Sequence, residues 1–310
     1  MPYPIHRKLV VGVSTNALFD LELEDRIFKE QGVEAYKKYQ IENQNVLLKK
    51  GVAFPFIRRF LNINNIFPEE EPVEVVLLSK NSPETALRAL KSIEHYGLNI
   101  SRGAFTSGMS PYQYIPAYNI SLFLSTNLAD VDNAIKSNFP AGHILKTEIE
   151  DDETDCELRI AFDFDGVLAS DEAEKIYQET HELKKFHEHE EINSATPLPQ
   201  GLMCDFFKKL SYFQKLESII LSKDNNYKKV LRTAIITARN APSHKRAINT
   251  LSSWGVDVDE MFFLGGIEKR RILEVLKPHL YIDDQIVHLD RNLLDIPLVH
   301  IPFGIINEKK

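Results

Sequence analysis

Cysteine is scarce. Cys156 and Cys204 are the only two in 310 residues, so no disulfide framework holds the fold and a reducing compartment is expected. Positive charge is not in excess either. The 37 lysines and arginines face 45 acidic residues, a formal charge of −8, with a pI of about 5.7. That excludes a protein that coats nucleic acid polymers by neutralising their phosphates. A small anionic substrate is not excluded, because a bound metal ion can outweigh the global charge locally. Long apolar runs are missing too. No stretch approaches the roughly 18–20 apolar residues of a membrane helix. The run Leu9-Val10-Val11, behind His6, Arg7 and Lys8, is too short for a signal peptide. The expectation is a cytoplasmic protein with no membrane partner.

What is present is 43% hydrophobic residues, enough for two ordinary cores at this length. Short apolar runs at 9–14, 73–78 and 120–125 suggest strands, separated by helical stretches. Arg159 to Phe162 is another short strand, and it ends in two carboxylates, Asp163 and Asp165, followed by Gly166. Residues at i and i+2 of an extended strand share a face, so both acids can look into one crevice. In open α/β sheets ligands bind in that crevice, beyond the carboxyl ends of the strands. An Asp-x-Asp-x-Asp-Gly pattern also opens calcium loops, but here the further ligands do not follow in register.

A second pair, Asp283 and Asp284, closes the strand Leu280-Tyr-Ile. Acids this close repel one another unless a cation or a proton intervenes. Mg²⁺ suits such a site, as a hard cation held by few carboxylates, waters and a substrate phosphate. Thr233 to Thr237 is a strand that ends in a hydroxyl and runs into Ala238 and Arg239. Lys269 follows a strand and the Gly265-Gly266 turn, opens a helix, and precedes Asp283 by 14 positions. The stretch with His181, His187 and His189 has spacings of six and two. Those do not stack on a helix face, so a solvated helix is expected there rather than a metal site.

The two halves repeat. At an offset of 150, Leu18 falls on Leu168, Glu22 on Glu172, Glu24 on Glu174 and Gly51 on Gly201. After an eight-residue insertion the offset becomes 158, and Arg88 meets Arg246, Gly97 meets Gly255, Phe105 meets Phe263 and Ser79 meets Thr237. At these offsets Asp163 falls on Val13, Asp165 on Thr15, Lys269 on Pro111, Asp283 on Ser125 and Asp284 on Thr126. The first half thus lacks the charged groups and is expected to be a degenerate copy.

Asp163-Phe-Asp-Gly-Val-Leu, Thr237, Lys269 and Asp283-Asp284, in this order, resemble the four motifs of the haloacid dehalogenase-like phosphotransferases. Longer strings narrow this to a resemblance to the cytosolic type-I 5'-nucleotidase family: Thr237-Ala-Arg-x-Ala-Pro, Ser253-Trp-Gly-Val, Pro278-His-x-x-x-Asp-Asp-Gln and His300-Ile-Pro-Phe-Gly. The first half contributes Ala53-Phe-Pro-Phe, Val75-Val-Leu-Leu-Ser-Lys-Asn-Ser-Pro and Ser110-Pro-Tyr. Ala169 departs from the pattern, which often has Phe, and this bears on pocket shape rather than chemistry.

The resemblance implies an α/β, haloacid dehalogenase-like Rossmannoid parallel sheet with helices on both faces and a helical cap. Residues 1–150 would be a non-catalytic half with a packing or effector role. Residues 151–310 would be catalytic, with a cap insertion at about 172–230. The implied reaction is Mg²⁺-dependent hydrolysis of nucleoside 5'-monophosphates, with a phosphatase for sugar phosphates as the alternative. Asp163 would be the nucleophile and Asp165 the general acid/base. Thr237, Ala238, Arg239 and Lys269 would hold the substrate, and Asp163, Asp165 (through its carbonyl), Asp283 and Asp284 the metal. A nucleotide effector and a homo-oligomer stay open as further partners.

Overall fold

The computed structural model describes residues 3–307 apart from 148, 181 and 293, and leaves out the side chains of 177–180. The histidine at 181 therefore lies outside the described residues. The chain divides into two compact units, Met1–Asp151 and Asp152–Lys310.

Unit 1 runs β1 (Leu9–Ser14), α1 (Thr15–Leu18), β2 (Phe19–Asp20), α2 (Glu22–Glu42), β3 (Lys49–Lys50), α3 (Phe54–Ile66), β4 (Val73–Ser79), α4 (Pro83–His95), β5 (Arg102–Phe105), β6 (Ile120–Ser125), α5 (Leu128–Lys136) and β7 (Ala141–Ile144). Unit 2 runs β8 (Leu158–Phe162), α6 (Glu172–Thr180), α7 (Leu183–Ile192), α8 (Cys204–Lys223), β9 (Leu231–Thr237), α9 (His244–Trp254), β10 (Glu260–Phe263), α10 (Lys269–Leu276), β11 (Leu280–Asp283) and β12 (Leu298–His300). The major strands are parallel in both units. Their order is β5-β4-β1-β6-β7 in unit 1 and β10-β9-β8-β11-β12 in unit 2, the same path traced twice. β1, β4 and β6 are buried along their whole length. Strands of a parallel sheet covered on both faces read as continuous apolar runs, which is why they were visible in the sequence. Among the described residues no helix is long and apolar enough to cross a membrane.

The repetition extends to single hydrogen bonds. Arg246 Nε donates to the Thr196 carbonyl (2.9 Å), as Arg88 Nε does to that of Val46 (2.7 Å). Leu198 N donates to Thr250 Oγ1, and Leu48 N to Ser92 Oγ, both at 3.0 Å. These pairs stand at the offsets of 150 and 158. The central ladders correct the offset at one place. Phe162 pairs with Ile235 and Ile282, while Val13 pairs with Leu77 and Leu124. Phe162 therefore answers to Val13, an offset of 149 (162 less 13). Asp163 then matches Ser14 and Asp165 matches Asn16, not Val13 and Thr15. The turn after β8 is one residue longer than the turn after β1, and this slip is invisible to a search for a constant offset.

The expected cap of 172–230 splits in two. α6 and α7 correspond at an offset of 150 to α2, a helix kinked at Gly32, whose φ of 85° favours glycine. α8 belongs to the core. Cys204, Phe206, Phe207 and Leu210 are buried, and Phe162 meets the rings of Phe206 and Phe207 at 6.3 and 5.3 Å. The inserted residues lengthen α8 and its exit, since α8 spans 20 residues and α3 only 13.

Candidate active site

Three strand ends and one helix start build the site in unit 2. Asp163 leaves β8, with its N–H donating to the Ile282 carbonyl of β11 at 2.8 Å. Asp283 ends β11 and is fully buried. α10 buries Lys269, Leu273 and Leu276 along one face at helical spacing. The two leucines pack, and Lys269 opens the helix with its ammonium 2.7 Å from both Asp163 Oδ2 and Asp283 Oδ2. Thr237 ends β9, buried, and its Oγ1 accepts from Arg239 N at 3.2 Å.

The electrostatics are uneven. Burial pushes Asp163 up to about 7, partly countered by Lys269 and reinforced by Asp283. Burial, with Asp163 and Asp283 adding to it, pushes Asp284 up to about 9. Burial acts on Asp283 in the same direction, but Lys269 and His288 overcome it and hold that carboxyl well below the usual range. Lys269 is lowered by burial and raised further by Asp163 and Asp283, so it stays a cation. One ammonium thus serves three buried acids. Asp284 Oδ1 is buried without a hydrogen-bond partner. A donor set of hard oxygens, with an orphaned carboxylate oxygen and a deficit of positive charge, fits a divalent cation such as Mg²⁺. Asp163, Asp283 and His288 each offer an atom within 4.8 Å of the others.

Gly166 makes room for the second acid of the β11 pair. Its φ is 74°, and a Cβ there would lie 2.3 Å from Asp284 Oδ2. Arg239 does not face an open pocket. It is 3% exposed and its guanidinium is consumed. Nε and Nη2 donate to the two Asp165 oxygens, both at 2.7 Å, and Nη1 donates to Glu190 of α7 and to the Ser243 carbonyl. The rings of Phe164 and Phe186 flank it at 5.4 and 5.8 Å. In this arrangement Arg239 clamps Asp165 rather than a substrate. Ala238 is exposed beside it.

Sequence reasoning missed four groups. Tyr281 donates its hydroxyl to Asp283 Oδ2. Its position two before Asp283, on the same strand face, was the available signal. His288 Nδ1 lies 3.2 Å from Asp283 Oδ2, in a turn whose path the sequence does not announce. Glu190, fully buried, bridges Arg239 and Arg246. Arg246 also reaches Glu172 at 3.1 Å.

Two comparisons with known proteins bear on this site. Residues 1–308 match the sequence profile of the 5'-nucleotidase family. The chain is also 33% identical over 297 residues to human cytosolic 5'-nucleotidase 1B. That match covers 93% of this chain and 48% of the human protein, so the chain spans about half the length of this relative. Because the profile runs through both units, not only the one that carries the acids, the whole chain belongs to the 5'-nucleotidase family.

Proposed function

We propose that the protein hydrolyses nucleoside 5'-monophosphates to nucleoside and phosphate, using unit 2, residues 152–310, in a reducing cytoplasm. The observation that carries this reading is the cluster of Asp163, Asp283 and Asp284 around the single ammonium of Lys269, with Asp284 Oδ1 left orphaned. Such a cluster costs folding free energy and suits a phosphoryl group bound with a metal ion. Family membership and the human relative, named as a cytosolic 5'-nucleotidase, favour a nucleotide over other phosphoesters.

In this reading Asp163 attacks phosphorus and the P–O bond to the ribose oxygen breaks, leaving a phospho-aspartyl group on Asp163. Asp165 gives its proton to the departing ribose oxygen, then takes one from the water that cleaves the phospho-aspartate. Arg239 holds the resting Asp165 carboxylate through both of its oxygens, Glu190 holds Arg239 from α7, and Asp165 takes up the proton it gives from solvent as one oxygen turns from Arg239 to the substrate. Thr237 and Lys269 donate to phosphoryl oxygens, and in phosphoryl transfer placement and charge supply most of the acceleration. Asp163, Asp283 and Asp284, with the Asp165 carbonyl, would hold Mg²⁺, which supplies further neutralisation of phosphoryl charge when bound.

The test is phosphate release from a panel of nucleoside 5'-monophosphates and sugar phosphates, with Mg²⁺ or EDTA. Hydrolysis of the nucleotides, lost in EDTA, is expected. Asp163→Asn should reduce it by about 10⁴-fold or more with the fold intact. Full activity in that variant refutes the nucleophile, and cleavage of sugar phosphates alone refutes the substrate class.

A further inference from the structure

Unit 1 has a cleft of about 1000 Å³ at the carboxyl ends of β1, β4 and β6. The ladders fix which residues stand there in place of the unit 2 acids. Ser14 replaces Asp163 and Ser125 replaces Asp283, while Ser79 stands for Thr237; in the turns that follow, Asn16 and Thr126 stand where unit 2 has Asp165 and Asp284. All five line the cleft. Two of the three backbone turns that present them are preserved. Asn81 N donates to Ser79 Oγ at 3.1 Å, as Arg239 N does to Thr237 Oγ1 at 3.2 Å. Asn127 N donates to Ser125 Oγ at 3.1 Å, as Gln285 N does to Asp283 Oδ1 at 2.8 Å.

Every carboxylate has thus become a short neutral group that can donate a hydrogen bond. The ammonium of Lys269 has gone with them, since its counterpart is Pro111. Carboxylates cannot accept a phosphate dianion without a cation between them. Hydroxyls and amides can bond to it directly. The Oγ1 of Thr126 is buried and has no hydrogen-bond partner. Four lysines and three carboxylates line the cleft, so its charge leans positive. One of them, Lys80, is 2.9 Å from Asp130 and partly exposed at the cleft. Apolar side chains line the cleft as well. Phe28 and Val33 of α2 are about half exposed to it, and the Phe28 ring stands edge-on to Tyr36 at 5.9 Å.

We propose that this cleft binds a nucleotide by its phosphate without a divalent ion and without cleaving it. The hydroxyls of Ser14, Ser79, Ser125 and Thr126 receive the phosphate, and the aromatic base lies against Phe28 and Val33. With Ser14 in the place of the nucleophile and Asn16 in that of the acid, the bound ester has no group to attack it and none to protonate its leaving oxygen. The inference concerns unit 1 alone and does not depend on the hydrolysis proposed for unit 2.

The test uses the full chain carrying Asp163→Asn, in EDTA. The probes are the four common ribonucleoside 5'-monophosphates, adenosine and inorganic phosphate, with binding followed by calorimetry and by amide hydrogen exchange. The expected result is one nucleotide per chain and slower exchange at residues 14–16, 79–82 and 125–127. Inorganic phosphate should displace the nucleotide, and Lys80→Glu should weaken it at least ten-fold with an unchanged melting temperature. The proposal is overturned if no nucleotide binds in EDTA or if protection is confined to 163–166, 237–239 and 283–285. It is also overturned if adenosine competes as well as the nucleotide while phosphate does not.

Discussion

The strand ends of β4 and β6 in unit 1 and of β9 and β11 in unit 2 share their backbone turns and differ in charge. Ser79 and Thr237 accept equivalent hydrogen bonds from the residue two further on, and so do Ser125 and Asp283. The fold therefore does not need acids at these places. In unit 2 they are costly, with Asp163 and Asp284 pushed up to about 7 and 9. A hydroxyl satisfies the turn at lower cost, as unit 1 demonstrates. What the comparison teaches is that the acids are an addition to the scaffold, and that their partners can be sorted by whether unit 1 kept them.

The largest break in the comparison is at Lys269, which unit 1 did not keep. Lys269→Met leaves Asp163 and Asp283 buried without their shared ammonium. Phosphate release should fall about 10²–10³-fold, the usual cost of one preorganised charge at a phosphoryl site. Without metal the fold should lose about 3 kcal/mol, because a buried pair has been broken from one side. Steady-state kinetics and urea unfolding in EDTA measure the two effects. An unfolding midpoint equal to that of the parent would mean the amine does not neutralise the acids.

Gly166 comes next. The shorter turn of unit 1, Thr15-Asn16-Ala17-Leu18, has no glycine, and the residue facing it from β6 is not an acid. Gly166→Ala forces a Cβ into the Asp284 carboxyl at a positive φ. The expected loss is about 1–3 kcal/mol, with weaker activation by Mg²⁺. Adding Asp284→Thr, the unit 1 residue, should recover part of the stability and none of the activity. A double variant no more stable than the single one would sever the coupling.

In unit 2 a pH response follows from Asp163, Asp284 and Asp283. Asp163 and Asp284 have folded pKa values above those of the unfolded chain, so the folded state binds protons more tightly. Below about pH 4 both states are protonated and nothing is lost. As pH rises from about 4 towards the folded values of about 7 and 9, the unfolded chain ionises first and the metal-free protein loses stability. Asp283 has the opposite sign, since its stabilisation is present above the unfolded value and is lost only in stronger acid. On the proposal that Mg²⁺ is held by the ionised acids, its affinity should rise through the same window, with protons released on binding. Melting curves from pH 5 to 8 should therefore fall without Mg²⁺ and separate increasingly from those with it. A metal-free curve that rises over this range would contradict the assignment.

Much of this comparison was legible in the sequence, for physical reasons that also mark its limits. Parallel strands buried on both faces read as apolar runs, so acids at their ends stand out as violations. That singles out Asp163 and Asp283, while Lys269 is marked by the Gly265-Gly266 turn before it and by its spacing of 14 to Asp283. The offsets of 150 and 158 survived because paired positions such as Arg88 and Arg246 make the same backbone bonds. The match of Asp163 to Ser14 was not legible, because register is set between strands while a turn of different length shifts the count. The grip of Arg239 on Asp165 depends on where a long side chain folds back, which spacing along the chain does not encode. α8 was placed in the cap because an apolar helix face does not announce whether it covers a sheet or a substrate.

The last break is a pair of swaps at one equivalent position, Glu190 and Gln40, and its unit 1 member has the smallest expected effect of all. Glu190 stands between two arginines, Arg239 and Arg246. Among the described residues Gln40 accepts from one arginine, Arg88, at 3.4 Å, and Arg88 already has Glu24 as a partner. The counterpart of Arg239 is Asn81, whose Oδ1 accepts from Tyr36, and Gln40 in turn donates to the Tyr36 hydroxyl. The charge at this position thus follows the number of arginines it serves. Glu190→Gln removes a carboxylate from two buried cations and should cost about 3 kcal/mol. It should also change the pH profile of turnover more than KM, because Asp165 is then the one carboxylate that Arg239 meets among the described residues. Gln40→Glu adds an acid beside an arginine that has one, and Tyr36 can donate to it as it did to Asn81. Its effect on stability should stay within about 1 kcal/mol, with no change in turnover. If the two swaps cost the same, the arginine count does not explain the residue, and Glu190 is not tied to the acid that Arg239 holds.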